Sequence, residues 1–158
     1  MRILGIDPGS RVTGYGIVEK DGRGLTGGDY GEIRPPRNSS FAEALVAVYE
    51  KLAGLIATWK PEAVAIEDIF YGKNVQSLIK QGHVRGVAIL AGARQDVPVY
   101  EYTPLAIKKA VVGYGRAEKG QVQTMIRAIL ELKRLPPPDA ADALAVAVCH
   151  AHSAPSRG

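Results

Sequence analysis

Three strands come first along this chain and helices then alternate with strands, and that order limits the folds open to it. Three strand-length runs lie at about 2–7, 12–20 and 25–34, and Asp21-Gly22 between the last two suits a tight hairpin turn. Pro35-Pro36 closes this block, and from about residue 41 Leu45, Val48, Leu52, Leu55 and Ile56 recur at helical spacing to about residue 59, behind Ser39 or Ser40 as the cap. Pro61 then introduces a strand at 63–67, followed by a long helix from near Asn74 and a short strand at Val97-Pro98-Val99-Tyr100. Helices follow over about 104–112 and 117–132, and Pro136-Pro137-Pro138 precedes a last helix at about 139–151. Hairpin-linked strands pair antiparallel, whereas strands separated by helices pair parallel. The sequence therefore predicts an α/β fold with a five-stranded mixed sheet, three antiparallel strands followed by parallel ones, and helices on both faces. One domain over residues 1–152 accommodates every element, with 153–158 as a flexible tail.

The helix from Asn74 carries an apolar stripe through Val75, Leu78, Ile79, Gly82, Gly86, Ile89, Leu90 and Ala93. A glycine inside a helix loses about 1 kcal/mol relative to alanine, so Gly82 and Gly86 predict a close neighbour on that stripe. The domain's own sheet is the first expectation, and a second subunit is the alternative.

A chain of 158 residues buries roughly 70% of its unfolded surface and needs no covalent staple. Cys149 is the only cysteine, which excludes an intrachain disulfide and a zinc site built on several thiolates. Met1-Arg2-Ile3-Leu4-Gly5 reaches Asp7 and Pro8 too soon for a signal peptide, and no apolar run has the length of a membrane span, so a cytoplasmic protein is expected. The net charge of +4 is unevenly spread: residues 1–72 sum to −2, whereas residues 73–134 sum to +7. A surface for a polyanion and an ordinary solvated lysine-rich face explain that middle segment equally well.

Four carboxylates stand where apolar elements begin or end: Asp7, Glu67, Asp139 and Asp142. Each has an ordinary explanation. Asp7-Pro8-Gly9 is turn chemistry, Glu67 and Asp68 leave a strand, and Asp139 and Asp142 suit a helix cap and first turn. Parity puts Asp7 on the face of Ile3 and Gly5 and Glu67 on that of Ala63 and Ala65, with Asp68 opposite, while a spacing of three places Asp139 and Asp142 on one helical face. Acids gathered without basic partners repel one another unless a divalent cation joins them. Such a set suits metal-dependent phosphodiester chemistry.

The segments Ile6 to Gly16, Ala65 to Phe70, Lys73-Asn74, Arg85 to Ala88, Val111 to Gly113, Ala117 to Gln123 and Asp139 to Ala145 closely resemble the bacterial RuvC crossover-junction endodeoxyribonucleases. The resemblance runs from residue 2 to about 152. It implies a ribonuclease-H-like fold and a homodimer that resolves four-way Holliday junctions by paired, magnesium-dependent hydrolysis in homologous recombination and DNA repair. The ends left would be a 5′-phosphate and a 3′-hydroxyl. Matched by position, Asp7, Glu67, Asp139 and Asp142 correspond to the family's Mg²⁺ ligands, two ions per site being implied. Lys108 and Lys119 correspond to lysines beside the active site, with Lys109 a neighbour that could share their role. Phe70 corresponds to an aromatic that could stack on an unpaired base, and Lys73, Asn74 and Arg85 complete the expected DNA contacts. A branch-migration motor complex is the implied partner. Three competing readings remain at this stage. An actin-like ATPase would use Asp7-Pro8-Gly9-Ser10 as a phosphate loop, a non-catalytic protein could bind junctions alone, and a related nuclease could trim structured RNA.

Overall fold

The sheet is built around its first strand. A computed structural model describes residues 1–69, 74–113 and 119–153, Lys119 by its backbone alone. The elements are β1 (Arg2–Asp7), β2 (Thr13–Asp21), β3 (Gly24–Ile33), α1 (Phe41–Trp59), β4 (Ala63–Glu67), α2 (Val75–Ala93), β5 (Val99–Tyr102), α3 (Pro104–Val112), α4 (Lys119–Ile129) and α5 (Pro138–Ser153). The five strands run in the order β3-β2-β1-β4-β5. Pairs β1–β2 and β2–β3 are antiparallel, and pairs β1–β4 and β4–β5 are parallel. The mixed sheet predicted from the order of elements is the one observed.

Local chemistry explains the boundaries. In the β2–β3 turn the Asp21 carboxylate accepts the Arg23 N–H at 2.7 Å, and Gly24 follows at φ 132°, a conformation that side chains resist. Of the two candidate serines, Ser40 caps α1, its Oγ accepting the Glu43 N–H at 3.1 Å. Strand β5 begins two residues later than predicted. The Val97 N–H is taken by the Gly92 carbonyl at the end of α2, and Pro98 has no N–H to give, so the ladder starts at Val99. Helix α4 stops at Ile129, short of the predicted 132, because Glu131 turns left-handed at φ 53° and the Leu132 N–H returns to the Arg127 carbonyl at 2.9 Å.

Alternation divides the core between the two faces. Leu4, Ile6, Ile17, Val64 and Ile66 pack beneath α1 and α2, whereas Ile3, Val18 and Ala65 lie under α5, which is covered in turn by α3 and α4. Eleven of the sixteen residues of α5 are buried, so this helix runs through the core instead of along its surface. Glycine permits its approach: a Cβ on Gly14 would lie 1.9 Å from the Asp139 carbonyl oxygen, and one on Gly5 2.0 Å from that of Ala143. Helix backbone therefore rests directly on strand backbone.

Much of the stripe on α2 is turned out from the sheet, although Ile89 packs against the core. Val75, Ile79 and Leu90 are 66%, 55% and 54% exposed, and the buried face is Val84, Arg85, Ala88, Ala91 and Gly92. Gly86 has nothing within 4 Å of a hypothetical Cβ, and Gly82 meets only the tip of Ile69 at 3.7 Å. Close approach to the sheet falls instead at Gly92, 2.9 Å from a Val99 methyl. The expectation that the domain's own sheet explains Gly82 and Gly86 is overturned, because the face of the helix buried on the core is that of Val84, Arg85, Ala88, Ala91 and Gly92.

Candidate active site

Strands β1 and β4 run parallel in the register Ile3↔Ala63 to Ile6↔Ile66, so Asp7 and Glu67 follow on neighbouring strand ends. By alternation both point to the α5 side, the side that parity assigned them. The N-terminus of α5 lies across this edge, held by its contact with Gly14, the partner of Asp7 across the β1–β2 ladder. Pro138 is the first helical residue, so Asp139 lies within the first turn and not at the predicted cap. There the positive end of the helix offsets part of its charge.

Carboxylate oxygens of Asp7, Asp139 and Asp142 all lie within 4.8 Å of one another, and each residue is half-buried. Glu67 adjoins them through a hydrogen bond with Asp7. Burial, and then the charges of Glu67, Asp142 and Asp139, push the Asp7 carboxyl up from 3.8 to about 9. At neutral pH, without a cation, this cluster relieves its repulsion by retaining a proton. A divalent cation offers the alternative. An oxygen-only donor set fits a hard ion such as Mg²⁺, and Cys149 and His150 are buried in the core away from it. Asp68 points away as parity required, lying 3.6 Å from Arg85 and accepting the Ile69 N–H at 2.8 Å.

The other residues singled out from sequence have varied fates. Lys108 is half-buried on α3 beside buried Ile107, and Lys109 is exposed; α3 packs on α5 through Ile107 and Val111. Asn74 caps α2, its side-chain oxygen accepting the Ser77 N–H at 3.2 Å. Phe70, Lys73 and the Lys119 side chain lie outside the described residues. Arg85, expected at DNA, is only 8% exposed. Its Nη2 donates to Glu101 Oε1 at 2.5 Å and its Nε to the Glu67 carbonyl at 3.1 Å. Its donors are thus engaged by a main-chain carbonyl and by a half-exposed carboxylate.

Residues that the sequence reading passed over also shape the site. Gly14 and Gly16 seat α5, and the signal was available as alternate glycines on one face of β2. Gln81 donates to the Pro8 carbonyl at 3.2 Å and left no comparable signal, since a glutamine on a helix is ordinarily solvated. His150 is buried with Nδ1 2.6 Å from the Tyr102 hydroxyl, and burial holds its pKa below the usual value. Its surroundings are structural.

The fold and the acidic edge together define the class: an α/β protein of ribonuclease-H-like architecture with carboxylates converging from two parallel strand ends and a helix N-terminus. The sequence profile described as "Crossover junction endodeoxyribonuclease RuvC" matches residues 3–150. The protein of that name from Syntrophotalea carbinolica is 53% identical over 152 residues, covering 96% of this chain and 94% of its own. The one from Geotalea uraniireducens is 52% identical over 153 residues, covering 97% and 90%. Among solved structures, Thermus thermophilus RuvC in complex with a Holliday junction substrate superposes with TM-score 0.88 at 33% identity, over 96% of this chain and 93% of that one. The yeast mitochondrial Holliday junction resolvase Ydc2, at TM-score 0.65 and 12% identity over 93% and 76%, shares the fold. The chain belongs to the RuvC family of crossover junction endodeoxyribonucleases.

Proposed function

We propose that this protein is a homodimeric endodeoxyribonuclease that resolves Holliday junctions by paired nicks in strands of like polarity, in recombination and repair. The observation that carries this reading is the convergence of Asp7, Asp139 and Asp142, with Glu67 against Asp7, on one partly enclosed edge. The Thermus thermophilus relative, bound to a Holliday junction substrate, supports the choice of DNA. Two Mg²⁺ ions held by these acids would supply Lewis-acid activation and charge stabilisation for phosphodiester hydrolysis. Asp7 and Glu67, rooted on adjacent strands, and Asp139 and Asp142, rooted on a helix seated by glycine, hold their oxygens in place before substrate arrives.

Lys108 and Lys119 hold the scissile phosphate and offset its charge, with Lys109 contributing from the exposed side of α3. Phe70 stacks on a base at the junction centre, an interaction worth about 1–3 kcal/mol, and Lys73 and Asn74 meet the backbone nearby. The products carry a 5′-phosphate and a 3′-hydroxyl. Residues 1–152 act as one nuclease domain with 153–158 as its tail, working in the cytoplasm beside a branch-migration motor complex. The exposed stripe of α2 is the dimer face, since a two-fold pair of sites matches a two-fold junction.

The test incubates a mobile four-way junction with the wild-type chain or Asp7→Asn, with and without Mg²⁺. Expected are paired nicks only with wild type and Mg²⁺, and a loss on the order of 10³-fold for the variant. Nicking by both proteins, or by neither, overturns the reading, as does a preference for structured RNA over the junction.

A further inference from the structure

We infer that Gln81 and Arg85 are positioning residues that hold the two strand-end acids, Asp7 and Glu67, at metal-binding separation by clamping the backbone beside them. The two stand four apart on α2, hence one above the other on the same face. Gln81 Nε2 donates to the carbonyl of Pro8, the residue after Asp7, at 3.2 Å. Arg85 Nε donates to the carbonyl of Glu67 itself at 3.1 Å. One rigid helix thus grips both chain exits at the point where ladder pairing ends. The β1–β4 register ends at Ile6↔Ile66, so both contacts fall beside its last pair.

Arg85 is in turn fixed from β5, by Glu101 Oε1 at 2.5 Å, with Asp68 Oδ1 at 3.6 Å. The Asp68 N–H donates to the Tyr102 carbonyl at 2.8 Å, which draws the chain after β4 against β5. The planar guanidinium is suited to this arrangement because it serves a carbonyl and a carboxylate at fixed angles, which a lysine ammonium cannot reproduce. Neither Gln81 nor Arg85 touches the proposed ions. Both act through the backbone that carries the ligands, as groups behind metal ligands commonly do.

The inference rests on Asp7 and Glu67 being metal ligands, and its test reads metal binding apart from cleavage. Mn²⁺ is titrated calorimetrically into the wild-type chain, Arg85→Lys and Gln81→Leu, each first shown to unfold cooperatively. Both variants should bind Mn²⁺ about tenfold more weakly. Their nicking of a four-way junction should need correspondingly more Mg²⁺, with the maximal rate recovered at saturation. Affinities within twofold of wild type in the folded variants overturn the inference; should Arg85→Lys fail to fold, Gln81→Leu decides alone. Wild-type Mn²⁺ binding without junction nicking would sink the nuclease reading while leaving the clamp in place. Nicking with unaltered metal affinity in the variants would do the reverse.

Discussion

Asp7 shows what the acidic edge costs the protein when no cation is present. Its carboxyl titrates near 3.8 in an unfolded chain but is pushed up to about 9 in the fold, by burial first and by Glu67, Asp142 and Asp139 after it. Between those values the folded state binds more protons than the unfolded one, so stability without metal falls as pH rises through the window. Asp7→Asn removes that ionisation while keeping shape. Denaturant unfolding in a chelator should show wild type losing stability between pH 5 and pH 8, with the variant flatter and roughly 1–3 kcal/mol more stable at the upper end. Added Mg²⁺ should stabilise wild type at pH 8 and have little effect on Asp7→Asn. The pairing of Asp7 with Glu67 and of Asp139 with Asp142 was legible in the sequence because strand parity and helical spacing are local rules, whereas their union in one site was implied by the family resemblance. The size of the perturbation was not legible, since it depends on burial and on charges distant in sequence.

Among the elements, α5 and α2 carry the difference between pattern and placement. Helix α5 was recognisable after its triple proline, yet its depth in the core depends on Gly5, Gly14 and Gly16 on strands far from it in sequence. Gly14→Ala would drive a methyl against the Asp139 carbonyl, and the helix must yield. A loss of about 3 kcal/mol in stability is expected, together with a large loss of nicking as Asp139 and Asp142 move. Gly22→Ala, with nothing within 4 Å, should leave both unchanged. Denaturant unfolding and junction nicking of the two variants check this. The stripe read on α2 is divided by the structure, with Val75, Ile79 and Leu90 exposed and Ile89 packed on the core. Periodicity shows that residues share a face without showing which of two apolar faces meets the sheet.

For the whole molecule, α2 faces two ways. Inward it grips the chain beside Asp7 and Glu67, and outward it presents Val75, Ile79 and Leu90 around Gly82 and Gly86. Apolar side chains grouped around small residues on an open helix suit a second copy of the same helix. Ile79→Glu should therefore give a monomer in sedimentation, with nicks on a junction no longer paired. Retention of the wild-type mass would remove α2 from the interface. Such an arrangement would place the dimer contact and the backbone clamp on opposite sides of one helix, so that a shift at one is carried rigidly to the other.

By itself the sequence determined the element order, the mixed sheet, the parity of Asp7 and Glu67, and, through its motifs, the family. All of these follow from residue spacing along the chain, which folding leaves unchanged. Only the tertiary structure decided that Arg85 donates to the backbone of Glu67, that glycines on β1 and β2 seat α5, and that Val75, Ile79 and Leu90 on α2 face outward. Each of those depends on which surfaces meet. A buried guanidinium needs acceptors from other elements, and a close helix needs absent side chains on its neighbours, and neither requirement is written within any single stretch of chain.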